Sequence, residues 1–222
     1  MNKMSAARWA LVASLLFAVS AFAQGDYKVE SVDAPSSSDV PQALLDSLSA
    51  KGARVVGSQG AVCEVWLRKS IPTEKSGGGA LGVLYGQLKA GTLLGVLHFP
   101  AQGADFRGQP VKAGYYTLRY VLIPQDGAHM GVYQSRDAVV MNPASADTDL
   151  EKDLSFDEMV KLSRMVSGTP HPGFLVMGEV QGGDLPSVVE DYSGFTNLQM
   201  NAHGSSGDLP IAITVVGKWE GM

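Results

Sequence analysis

The residues best suited to chemistry are concentrated between positions 105 and 137. Arg107, Arg119, Asp126, His129, Arg136 and Asp137 crowd into this stretch of a chain in which only 18% of residues are charged. Guanidinium groups bind anions through charge-assisted hydrogen bonds. An imidazole oriented by a carboxylate moves protons at the edge of an open pocket. The set therefore reads in two ways, as the lining of a ligand cleft or as a salt-bridge network that holds loops, and the network is the preferred reading. Arg119 carries most of the distinction. Tyr115 to Ile123 alternates as a strand, with Tyr116, Leu118, Tyr120 and Leu122 facing a core and Arg119 on the opposite face. A half-buried Arg needs a carboxylate, and Asp105, Asp126 and Asp137 are the candidates near in sequence.

Other constellations are weaker. His98, His129, His171 and His203 show neither H-x-H nor H-x-x-x-H spacing, so no zinc pattern is present. His98 lies in an apolar strand as a hydrogen-bonded wall residue, and His171, between Pro170 and Pro172, shapes a turn. Cys63 is the sole cysteine, which excludes an intramolecular disulfide. With no His or Met at copper-ligand spacing, it reads as a small buried hydrophobe. Asp147, Asp149, Glu151 and Glu158 match positions 1, 3, 5 and 12 of a calcium loop, but Lys152 stands where glycine is required. The stretch reads instead as a solvated acidic run before a helix. G-x-S-x-G is absent, and Gly77 to Gly82 lacks the G-K-[ST] of a phosphate loop. No catalytic residue, metal site or cofactor is predicted.

These groups must be placed by short strands. Lys3 and Arg8, the apolar run Trp9 to Ala18 and Ala21-Phe22-Ala23 make a signal peptide over residues 1–23, cleaved before Gln24. The run is short of the roughly 20 residues that span a bilayer. Seventeen Lys and Arg against 22 Asp and Glu give a net charge of −5, and losing Lys3 and Arg8 makes residues 24–222 more acidic still. An acidic chain without a basic stripe is no nucleic-acid binder. Strands are expected at 26–31, 54–56, 61–69, 92–99, 115–123, 137–141, 173–177, 195–202 and 210–218. Gly57-Ser58-Gln59-Gly60 turns one hairpin. Leu198, Met200 and Ala202 should be dry, and Asn197, Gln199 and Asn201 wet. One helix follows Pro41, capped by Asp39 and stopped by Gly52. A second covers 156–167, with the capping box Ser155 and Glu158, staple residues Leu154 and Met159, and Gly168 at its end. Many short alternating strands with two helices predict one domain over 24–222, mainly β. It is expected as a two-sheet antiparallel β-sandwich with the helices in its connections.

The runs Asp105-Phe106-Arg107-Gly108-Gln109, Tyr116-Thr117-Leu118-Arg119-Tyr120 and Gln125-Asp126-Gly127-Ala128-His129-Met130-Gly131 resemble a family of secreted bacterial β-sandwich proteins of unknown function. The resemblance implies export and supplies no catalytic residue. The expected function is an exported, non-enzymatic binding or structural module of the cell envelope. It would be periplasmic or secreted, not membrane-spanning, with a small molecule or an envelope component as partner. A hydrolase-like enzyme or a metal-binding protein using Asp126 and His129 is the alternative.

Overall fold

The computed structural model describes residues 27–75, 80–126, 133–152 and 154–219. The expected signal peptide and His129 lie outside the described residues. The strands are β1 (Lys28–Asp33), β2 (Lys51–Gly57), β3 (Gly60–Leu67), β4 (Leu93–Phe99), β5 (Gly103–Ala104), β6 (Pro110–Val111), β7 (Gly114–Leu122), β8 (Asp137–Pro143), β9 (Phe174–Gly178), β10 (Ser187–Glu190), β11 (Thr196–Gly204) and β12 (Gly207–Val216), and β-branched and aromatic residues recur through the longer ones. The helices are α1 (Gln42–Ser47) and α2 (Phe156–Ser167).

The protein is mainly β with two helices in its connections, as expected. The expected division into two separate sheets is not seen. Ten strands form one antiparallel sheet, in the order β1-β2-β3-β4-β7-β8-β9-β12-β11-β10. The reason lies in β9. It pairs with β8 through Leu175 and Val139, and with β12 through Met177 and Ile213. One short strand thus joins what would otherwise be two halves. The sheet curls until its edge strands β1 and β10 approach each other, giving a nearly closed barrel.

The dry faces point into this barrel. Val55, Cys63, Val65, Leu97, Leu118 and Ile213 are buried in one cluster, and Leu198, Met200 and Ala202 join it. Burial pushes the Cys63 thiol up to about 12, with the neighbouring Glu64 charge adding to it. Gly95 lets β4 approach β3: a Cβ there would collide with the backbone of Trp66 and Leu67. Gly95→Ala is therefore expected to part this strand pair or bend it, at a cost of about 1–3 kcal/mol or more. Chemical denaturation checks it, and a variant as stable as the parent would contradict the close approach.

The helices cover the outside. Leu44 of α1 and Leu48 just after it pack with Trp66, Leu93 and Val96. This helix is shorter than expected, and Asp39 does not cap it: the N-cap is Pro41, with no side-chain cap. Gly52 falls inside β2 rather than at a helix end. By contrast, α2 follows its sequence signals closely. Ser155 Oγ accepts from the Glu158 backbone N–H, and the Glu158 carboxylate accepts from the Ser155 N–H at 2.9 Å. The Ser155 N–H and hydroxyl, both donating to the carboxylate, with Lys152, hold the Glu158 carboxyl down to about 2. Gly168 ends the helix at φ +65°, a left-handed conformation that glycine adopts without strain. Leu154 and Met159 pack under α2 against Val121, Ala138 and Val140, on the outer face of β7 and β8.

Candidate functional site

The predicted cluster is divided among three places. Arg119, on the outer face of β7, is 1% exposed, and it pairs with none of the expected carboxylates. Its partner is Asp147, because the connection from β8 to α2 folds back over β7. Nε donates to Asp147 Oδ2 at 2.7 Å and Nη2 to Oδ1 at 2.8 Å. The remaining N–H groups reach the carbonyls of Gly91, Lys152 and Asp149. All five guanidinium donors are engaged inside the protein, which leaves none for a ligand. Thr117 and Asn142 also donate to Asp147. Burial alone would raise the Asp147 carboxyl, but the bonds from Arg119 and Thr117 and the Arg119 charge hold it below its usual range. The acidic run is thus not wholly solvated: Asp147 is buried, and a hydrogen-bonded arginine is what permits it.

Asp137, at the start of β8, is fully buried and serves a different purpose. Its carboxylate accepts from the backbone N–H of Leu84 at 2.8 Å and Tyr85 at 3.0 Å, and from the Tyr120 hydroxyl at 2.6 Å. This latch fixes the loop before β4, whose Tyr85 side chain enters the barrel core. There the Tyr85 hydroxyl donates to the Gly178 carbonyl and accepts from the Ala212 N–H. Burial, with the bond to Asp137 adding to it, pushes the Tyr120 phenol far above its ordinary range. Arg136 braces the same loop. Its backbone N–H donates to Gly82 and its Nε to the Ile123 carbonyl.

Arg107 and Asp126 belong to the third place, a groove of about 540 Å³ beside α2. Its floor is the outer face of β7 to β9, with Val121, Val140 and Phe174; Phe156 and Val160 of α2 form one wall. Arg107, Asp126, Arg164, His171 and Trp219 surround it. A tight turn sets Arg107: buried Asp105 accepts from the backbone N–H groups of Arg107 and Gln109 at 2.9 and 2.8 Å. Burial raises the Asp105 carboxyl despite those bonds and the Arg107 charge. The guanidinium lies over the Phe174 ring, 5.4 Å from its centroid. Among the described residues, its side-chain hydrogen bonds leave from Nη2, to Asp105, Gln109 and the Pro172 carbonyl. Nε is buried without a partner.

Sequence reasoning found Arg107 and Asp126 but missed Arg164, His171 and Trp219, which come from distant segments. The prolines on either side of His171 were a usable signal, since they fix a turn that presents the ring. Elsewhere, His98 is the expected wall residue: Nδ1 lies 2.8 Å from Glu64 Oε2, and the ring stacks on Tyr115. Asn197 and Gln199 are buried rather than wet. Loop residues cover them, through Asp191 and the Gln181 N–H. Among the described residues no group of three or more His, Cys, Asp or Glu is placed to hold a metal ion. No described helix is long and apolar enough to cross a membrane. Compared with known proteins, the chain matches no family model, no curated protein and no solved structure.

Proposed function

We propose that this chain is an exported, non-enzymatic binding module of the cell envelope whose ligand site is the groove beside α2. The groove carries the reading: it is concave, of ordinary ligand-site size and mostly apolar, with a few polar groups at its edge. Export rests on the three-part signal over residues 1–23. In this reading the two halves of the curled sheet act as the facing layers of a sandwich and give the groove a rigid floor. Arg119 and Asp137 hold the scaffold, and Arg107 with Asp126 belongs to the site.

The test fills the groove. The neutral dye N-phenyl-1-naphthylamine should fluoresce more strongly with the purified protein than in buffer. Val160→Trp, which places a large ring in the groove wall, should abolish most of that gain while leaving the melting temperature near the parent's. A dye signal that Val160→Trp does not change, or no signal at all, would remove the groove as the site.

A further inference from the structure

We infer that the groove takes an apolar carboxylate, with its acid group held at the end formed by Arg107, Arg164 and His171; the inference rests on the binding reading above. Three donor-bearing side chains, from the turn after β5, the last turn of α2 and the loop before β9, meet around one apolar surface. Their donors are not used up by the protein. Arg107 Nη1 has no hydrogen-bond partner among the described residues, although Nη2 of the same group makes every side-chain bond. The side chains of Arg164 and His171 likewise make no hydrogen bond or ion pair with a described residue, in contrast to the fully engaged Arg119.

The charge balance points the same way. The chain as a whole carries −5, so its general surface favours cations and disfavours anions. The groove reverses that sign, with two arginines against Asp126, which already has a partner. A guanidinium resting on an aromatic ring keeps its orientation, and it matches the two oxygens of a carboxylate. Beyond this end the walls offer Val121, Val140, Val160 and Phe156, which would cover an apolar body and exclude water from it.

A head-group series separates the two claims. Decanoate, decanol and decyltrimethylammonium share one apolar body. Decanoate and decyltrimethylammonium are titrated below their micelle concentrations, and decanol below its solubility limit, into ¹⁵N-labelled protein, following the Trp219 indole N–H and the Val160 amide. Decanoate should bind about tenfold or more tighter than decanol, the range expected of a charge-assisted hydrogen bond, and the ammonium compound should bind weakest. Arg164→Gln, at an exposed position, should bring decanoate down towards decanol and leave decanol unchanged. Arg107→Gln should do the same if it folds, and the Arg164 variant keeps the test decisive if it does not. Equal binding of all three ligands would overturn the carboxylate inference while leaving the groove as a site. No shift at Trp219 or Val160 with any of them would overturn both.

Discussion

Asp147→Ala is expected to be among the most destabilising single substitutions in this protein, lowering stability by about 3–5 kcal/mol. The substitution removes the carboxylate that Arg119 is paired with, the only one it touches among the described residues, and leaves a guanidinium that is 1% exposed without that counter-charge. It also strands the donors of Thr117 and Asn142. For a domain of this size each kcal/mol moves the melting temperature by about 2–4 °C, so the loss is visible in a simple thermal melt. Removing both charges, as in Arg119→Met with Asp147→Leu, should cost less than the two single losses added together, because the pair is coupled. Strictly additive losses would contradict the pairing. The pH dependence follows from the lowered Asp147 carboxyl. A group depressed on folding stabilises the native state above its unfolded value, near 3.8, and that contribution is lost as the pH falls through the lower folded value. The gap between parent and Asp147→Ala should therefore be widest near neutral pH and should narrow in strong acid.

Asp137→Ala should come next, with a loss of about 3 kcal/mol or more. Three donors lose their acceptor at once: the buried Tyr85 N–H and Tyr120 hydroxyl and the part-buried Leu84 N–H. A buried polar group left unsatisfied costs about 1–3 kcal/mol. The damage should be local before it is global. Amide hydrogen exchange at Leu84 and Tyr85 should speed up far more than at Val139 or Ile213 in the barrel wall. Asp137→Asn keeps an acceptor oxygen and should fall between parent and alanine variant. If Asp137→Ala melted with the parent and kept its slow amides, the loop would be held by something other than this carboxylate.

These two carboxylates show what the sequence could and could not disclose. The alternation in Tyr115 to Ile123 placed Tyr116, Leu118 and Tyr120 in the core and Arg119 outside it, as found. The demand of Arg119 for a carboxylate was legible from chemistry alone. Its partner was not, because nothing local says that the segment after β8 folds back over β7. Nearness in sequence favoured Asp105, Asp126 and Asp137, whereas the fold supplied Asp147. Helix α2 was readable end to end because its cap, staple and glycine stop act within a few residues of one another. The closure of the sheet was hidden for the opposite reason. It depends on the two edges of β9, and Phe174–Gly178 looks the same whether one edge is paired or both. The groove was half legible. Arg107 and Asp126 were in view, but Arg164, His171 and Trp219 meet them only after α2 has packed.

The strand order has a consequence for how the chain assembles. From β1 to β4, and again from β7 to β9, each strand lies beside the one made just before it, and β10 to β12 do the same in reverse. The β2–β3 and β11–β12 pairs are joined by short turns and close with little loop entropy, whereas β3 to β4 and β8 to β9 are neighbours across long connections, the second carrying α2. Only two joints, β4 to β7 and β9 to β12, need segments that skip a neighbour. The second of these is held by a short register between Met177–Gly178 and Ala212–Ile213. It is also where the Tyr85 hydroxyl bonds Gly178 on one side and Ala212 on the other. A single phenol from a distant loop thus rivets the short seam that joins the two halves of the sheet.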